Sequence, residues 1–235
     1  MIKNSIIRKS FAILALSVAV ALPLVACTKE EPEPTGIIIM TTKAVKAAFY
    51  VVVTGDITIN WGDGKVSNLN DGIFHDLSNW FWFGHEYSGT TAHNIVITGY
   101  VSLLYCQNNE LTALDVTKNT VLTELNCSNN QLTSLDVSKN IALTDLVCNY
   151  NQLTILDVSK NSKLNILSCV RNKLTAAALD DLFGTLPYLR GYDYGEVGGI
   201  YISTRNDNPE FGNPGIFDCD RSIAQKRGWS FFSIR

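Results

Sequence analysis

Four cysteines, Cys106, Cys127, Cys148 and Cys169, recur every 21 residues and are the side chains of this sequence best equipped for chemistry. In an exported protein four thiols would ordinarily suggest disulfides or a zinc site. Their regular period argues against both. If each thiol falls at the same point of successive coils, the four form a straight row about 4.8 Å apart, whereas zinc takes its ligands from the corners of a tetrahedron. Neighbouring Cα atoms in such a row are close enough for a disulfide, but their Cβ vectors run parallel and do not converge. A row of buried small hydrophobes is the reading that fits. Cys219 has no evident partner. The three histidines, His75, His85 and His93, all precede residue 100, and no Gly-x-Ser-x-Gly, His-Glu-x-x-His or phosphate-binding glycine loop occurs. Asp180 and Asp181 face different sides of any helix that holds them. The expectation is a non-enzyme with no catalytic residue, no metal and no cofactor. Asp63, between Gly62 and Gly64 with Asp56 and Asp71 nearby, is the one opening for calcium. A calcium cage takes six to eight oxygens, and the simpler role for Asp63 is to accept backbone N–H groups and fix a turn.

Self-comparison identifies the elements that must position these residues. Leu111, Leu132, Leu153 and Leu174 are spaced by 21 residues, as are Asn109, Asn130, Asn151 and Asn172, and such a period signals a solenoid. The coil from Leu122 to Asn140 carries apolar residues at positions 1, 4, 6, 11, 14 and 16 and asparagine at 9 and 19. The other copies begin at Val101, Leu143 and Leu164, and Leu-Asp-Val recurs at 114–116, 135–137 and 156–158. Leu125 and Cys127 alternate with Glu124, Asn126 and Ser128, which predicts one strand per coil of a parallel sheet with its apolar side inward. About ten residues remain for the return arm, too few for a typical helix and its turns. The arms are therefore expected to be extended or 3₁₀, with Leu135 and Val137 turned inward. The asparagines at position 9 fall where the chain bends and would otherwise bury unpaired backbone groups, so their role is structural.

The four in-register copies resemble the leucine-rich repeat. Upstream, residues 36–99 are rich in β-branched runs such as Tyr50-Val51-Val52-Val53 and Ile95-Val96-Ile97, separated by glycines and polar turns, which predicts a small antiparallel β-sandwich. Trp61-Gly62-Asp63-Gly64 followed by His85-Glu86-Tyr87 is similar to the hallmark of the PKD-type immunoglobulin-like domain. The insertion Asn79-Trp80-Phe81-Trp82-Phe83 departs from that pattern. Two of its aromatics are expected in a core and two exposed, as a carbohydrate platform or partner surface, unless a domain interface buries all four. Residues 175–235 read as a C-terminal cap. It comprises a helix from Ala176 with Thr175 as its cap, a strand at Ile200-Tyr201-Ile202, a second helix capped by Asp220, and a closing strand from Trp229 to Phe232.

Residues 1–26 have a basic start at Lys3, Arg8 and Lys9, an apolar run from Phe11 to Val20, and an end at Leu24-Val25-Ala26 before Cys27. That is the form of a secretory signal. Leu24-Val25-Ala26-Cys27 resembles the lipobox of bacterial lipoproteins, which implies acylation of Cys27. Residues 27–35, with no apolar residue after the cysteine and two prolines, form a tether. Lys29-Glu30-Glu31 resembles the acidic signal that sends Bacteroidetes lipoproteins to the outer face of the outer membrane. Removing Lys3, Arg8 and Lys9 with the signal leaves 16 basic against 22 acidic side chains, a net of −6, which invites neither nucleic acid nor an anionic membrane surface.

The chain thus divides into a signal (1–26), a tether (27–35), a PKD-like sandwich (36–99), repeats (100–174) and a cap (175–235). The whole resembles Bacteroidetes surface leucine-rich-repeat proteins and, more distantly, internalin-type adhesins. The implied function is partner recognition by a lipid-anchored, surface-exposed protein of the outer membrane. The partner surface is expected at coil positions 3, 5 and 7. It comprises Leu103, Tyr105, Gln107, Glu124, Asn126, Ser128, Asp145, Val147, Asn149, Ile166, Ser168 and Val170, with Tyr150 and Arg171 at the rim. Tyrosine, arginine and aliphatic anchors among small polar residues suit a protein partner. The alternative is a glycan held by the aromatics of the first domain, with the solenoid as a spacer.

Overall fold

The computed structural model describes residues 36–75, 80–189, 198–204 and 213–234. The expected signal and tether, Cys27 and Asn79 lie outside the described residues.

The chain is mainly β. Its first strands are β1 (Ile37–Thr42), β2 (Lys46–Asn60), β3 (Val66–Asn68), β4 (Ile73–His75), β5 (Trp80–Glu86) and β6 (His93–Tyr105). β2 and β6 are long and change direction at glycines: Gly55 has φ 82°, and Gly99 has φ 139°. A Cβ on Gly99 would lie 2.6 Å from the Asp56 carbonyl oxygen, so no other residue fits there. The bends divide the pairing into two layers. The end of β2 and the start of β6 pair with each other, with β3 on one side and β1 on the other. The start of β2 pairs with β5 and with the end of β6. The layers close over a common core, in which the rings of Phe49 and Trp61 are 5.5 Å apart and Ile38, Ile59, Ile95 and Ile97 are buried.

The expected boundary at residue 99 is not a break in the sheet. β6 continues unbroken through it and supplies the strand of the first coil, and the first return arm, β7 (Leu111–Asp115), pairs antiparallel with β1. The physical reason is the exposed edge of the first coil, whose backbone groups need partners. β2 supplies them antiparallel through Val51↔Leu104 and Tyr50↔Tyr105. Residues 36–99 therefore serve as the N-terminal cover of the solenoid.

Later coils add one short parallel strand each: β8 (Glu124–Asn126), β9 (Asp145–Val147) and β10 (Ile166–Ser168). Leu104, Leu125, Leu146 and Leu167 lie in one register row, all buried. The return arms after β8 and β9 contain neither helix nor strand, and Leu132, Leu135 and Val137 point inward.

Asparagine ladders lock coil to coil. Asn130 donates from Nδ2 to the carbonyls of Cys106 and Cys127, both at 3.0 Å, and accepts from the N–H groups of Asn109 and Leu111. Asn109 ties the ladder to β2 through both backbone groups of Ala48. At the other end Asn213 takes the same role, accepting from Asn172 N–H and donating to the Cys169 carbonyl. In a second ladder Asn140 and Asn161 donate to carbonyls one coil earlier, and Asn119 donates to the Val101 carbonyl at the start of its own coil.

The C-terminal elements are α1 (Ala176–Thr185), β11 (Gly198–Thr204), α2 (Ser222–Gln225) and β12 (Trp229–Ile234). Thr175 caps α1 by accepting from Ala178 N–H, and Leu179, Leu182 and Phe183 are buried. β11 and β12 continue the parallel sheet beyond β10. α2 is a single turn, and Asp220 accepts from Ser222 N–H just ahead of it.

Candidate binding face

Alternation along each strand sends one set of side chains into the core and the other to a common outer face. Register alignment defines two rows on that face. One runs Trp82–Tyr50–Tyr105–Asn126–Val147–Ser168–Tyr201–Phe232. The other runs Val52–Leu103–Glu124–Asp145–Ile166–Gly199–Ser230. The structure thus brings together most of the expected partner residues and joins to them aromatics from both flanking regions.

The insertion resolves by alternation. Phe81 and Phe83 face the core, with Phe83 6.2 Å from Phe49, whereas Trp80 and Trp82 lie on the outer face, half-buried. Trp80 meets Tyr105 edge-on at 4.7 Å and Tyr50 at 6.1 Å. The Trp82 ring lies against Gly84, where an added Cβ would come within 2.4 Å of it. The expectation that the repeat face and the first-domain aromatics are alternative sites is therefore corrected: they are parts of one surface. Sequence reading missed this because β2, which joins them, pairs across more than forty residues with β6.

Position 7 of the coil is also corrected. Asn149 at position 7, and with it Ser168 at position 5, were expected to face a partner, yet they are 8% and 4% exposed, and the two side chains hydrogen-bond to each other. Ser168 Oγ donates to Asn149 Oδ1 at 2.8 Å, and Val170 N–H donates to the same oxygen at 2.7 Å. Ser128 and Val170 are buried too, as is Leu103 at position 3, and Gln107 is half-buried. The chain begins its turn at position 7, so the side chain there is drawn beneath the strand end. Tyr105, Glu124, Asn126, Asp145 and Val147 remain half-buried on the face.

Position 8 adopts left-handed backbone in every coil: Asn108 has φ 59°, and Asn129, Tyr150 and Arg171 each have φ 53°. Asparagine tolerates this region, whereas tyrosine and arginine adopt it at a cost. The Arg171 guanidinium sits over the Tyr150 ring at 5.3 Å.

The other chemistry-bearing groups are committed to structure. All four repeat cysteines are fully buried, and burial pushes the thiols of Cys127 and Cys169 up to about 12 and those of Cys106 and Cys148 well above their ordinary value. Cys219 is partly buried and free. Asp63 Oδ2 lies 2.8 Å from His85 Nε2, and Asp63 Oδ1 accepts from Lys65 N–H; the His85 hydrogen bond leads in holding the Asp63 carboxyl below its ordinary value. His85 stacks on Trp61 at 4.8 Å, and Tyr87 donates its hydroxyl to the Trp61 carbonyl. Among the described residues no three His, Cys, Asp or Glu side chains gather as a metal site, and Asp56 and Asp71 do not join Asp63.

Part of the chain is similar to a solved structure of the functional domain of InlJ from Listeria monocytogenes, which includes a cysteine ladder. The similarity has 34% identity over 43% of this chain and 20% of that one, with a TM-score of 0.34. This chain therefore spans only a minor part of that protein. No family model matches, and no curated protein matches.

The aromatic face extends further than the sequence suggested. The rings of Tyr201 and Phe232 pack at a tilt, 5.5 Å apart, at its far end. The inward and outward alternation of Ile200-Tyr201-Ile202 was legible; what was missed is that the cap strands continue the register of the coils.

Proposed function

We propose that this protein is a non-enzymatic recognition protein whose outer sheet face takes a protein partner. The observation that carries this reading is the continuous face itself. It runs from β5 to β12, with aromatic anchors at both ends and small polar and aliphatic side chains between. Interfaces draw their affinity from such anchors. A neutral glycan is the second reading, favoured by the half-exposed rings of Trp80 and Trp82 on the outer face. The meeting of Asp63 with His85 and of Tyr87 with Trp61 supports the PKD-like reading of residues 36–99.

Acylation at Cys27 and display on the outer membrane belong to the same proposal. Two acyl chains or more would give stable anchoring, since each buried methylene contributes about 0.8 kcal/mol. Incorporation of a palmitate analogue is expected in the native protein and not in Cys27→Ala; label retained by the variant contradicts acylation there. Protease shaving of intact cells is expected to remove the protein and to fail when Lys29-Glu30-Glu31 becomes three alanines. For the face, Tyr105→Ala with Tyr150→Ala is expected to weaken a captured protein partner by about 2 kcal/mol or more. Trp80→Ala should act in the same direction because its ring packs on Tyr105. Unchanged affinity in all three contradicts the reading.

A further inference from the structure

Glu124 and Asp145 occupy adjacent positions of the outer face, register partners on neighbouring parallel strands. Strands in a sheet are about 4.8 Å apart, and like charges side by side at that spacing repel. Both are half-buried, which weakens the screening that water would provide. The ion pairs among the described residues join Lys46 to Glu86 and Asp63 to Lys65 and His85; none reaches this acidic pair. Arg171, at the rim nearby in sequence register, has its guanidinium over the Tyr150 ring.

What the two carboxylates do contact is short of a counter-charge. Tyr105 donates its hydroxyl to Glu124 Oε2 at 2.9 Å, and Thr144 donates to Asp145 Oδ2 at 2.7 Å. Among the described residues the other oxygen of each carboxylate has no hydrogen-bond donor. Burial, and after it these two acids, push the Tyr105 hydroxyl up to about 12, so the tyrosine stays a neutral donor beside them. On the side toward β2 stand Trp80, Tyr105 and Tyr50. On the other side, along β10, Ile166 is 37% exposed.

A carboxylate pair flanked by aromatic rings is complementary to an organic cation. The rings attract it through their negative faces, and the acids supply charge-assisted hydrogen bonds. A divalent metal would gain nothing from the rings and would need several more oxygens. We propose that this part of the face binds an arginine or lysine side chain of an extended partner segment, the cation lying between Glu124 and Asp145 and the rings of Trp80 and Tyr105. The proposal rests on the recognition-face reading and adds its chemistry. Neighbouring residues of the segment would then lie along Val147, Ile166 and Tyr201.

Tryptophan emission of the full chain in detergent reports on the site, because Trp61 and Trp229 are buried and Trp80 and Trp82 are the half-exposed pair. The probes are an acetylated and amidated Ser-Arg-Ser-Arg-Ser peptide, its citrulline analogue of the same shape without charge, and cellohexaose. The arginine peptide is expected to bind at least about tenfold more tightly than the citrulline peptide. Glu124→Gln with Asp145→Asn should abolish that difference, whereas Asp136→Asn with Asp157→Asn, the same charge change on the return arms, should preserve it. Equal loss in the two double variants, equal binding of the two peptides, or cellohexaose binding that alone survives Glu124→Gln with Asp145→Asn overturns the proposal. A protein partner that depends on Tyr105 and Tyr150 but is indifferent to Glu124→Gln with Asp145→Asn overturns the cation site while leaving the recognition face standing.

Discussion

The return arms of three successive coils are close copies: Leu111-Thr-Ala-Leu-Asp-Val-Thr-Lys-Asn119, Leu132-Thr-Ser-Leu-Asp-Val-Ser-Lys-Asn140 and Leu153-Thr-Ile-Leu-Asp-Val-Ser-Lys-Asn161. The strand positions opposite them differ from coil to coil, with Tyr105, Asn126, Val147 and Ser168 in one row and Leu103, Glu124, Asp145 and Ile166 in the other. The contrast has a physical cause. Each return-arm residue type answers the same local demand in every coil. Its leucines and valine fill the core, its aspartate accepts the N–H two residues on, and its asparagine donates to buried backbone carbonyls. On the outer face no such demand recurs, so the side chains there are free to differ, which is what the proposed recognition role requires.

The sharpest way to break this contrast is to remove a residue that serves the stack and compare it with one on the face. Asn151 donates to three carbonyls and accepts from Leu132 N–H. Asn151→Ala leaves several buried backbone groups unpaired, each worth about 1–3 kcal/mol, so denaturant unfolding should show a loss of about 3 kcal/mol or more. Asn126→Ala, on the face, should cost well under half of that; equal losses would erase the distinction between the two sides.

A smaller loss is expected from the thiol row. Cys127→Ser places a hydroxyl where a fully buried sulfur packs, and it should cost about 2 kcal/mol. In the native protein Cys106, Cys127, Cys148 and Cys169 should resist alkylation at neutral pH, and all four should react once the chain is unfolded without reductant. A Cys127–Cys148 bridge in mass spectra, or zinc bound in stoichiometric amount, contradicts the row of packed thiols.

The smallest effect concerns acid. The carboxyls of Asp63, Asp115 and Asp136 are held below their ordinary values, chiefly by His85, Thr117 and Ser138 respectively. A depressed carboxyl stabilises the fold above its unfolded value and loses that contribution as the pH falls below about 4. Melting curves of Asp63→Asn and Asp136→Asn should therefore fall less steeply than the parent between about pH 5 and pH 2, the two variants acting on different regions. A parent curve that keeps its slope in both variants contradicts these hydrogen bonds.

The coils were legible because their demands are local and periodic. Leu125 and Cys127 alternate with polar neighbours, and Asn130 recurs at every bend, so strand, core and ladder follow from one repeat. The helix capped by Thr175 was legible for the same reason. The union of β2 with the first coil was not, because Tyr50 meets Tyr105 through a pairing that no local pattern announces. Asn213 was hidden likewise: it stands 41 residues after Asn172, out of the period, yet it closes the same ladder. On the candidate site, alternation gave the facing of Glu124 and Asp145 but misplaced Asn149 and Ser168: a strand of three residues ends before position 7, where the turn draws Asn149 under, and Ser168 at position 5 donates its hydroxyl to the Asn149 side chain.

The central claim is that the outer sheet face, and not the return arms, meets the partner. It is tested most directly by placing a photo-crosslinking amino acid at one position per side in the native protein. Asn126, in the middle of the face, is one, and Ser134, on an exposed return arm, is the other. The account predicts that light produces a discrete protein adduct from position 126 and none from position 134. An adduct formed from 134 alone would contradict it.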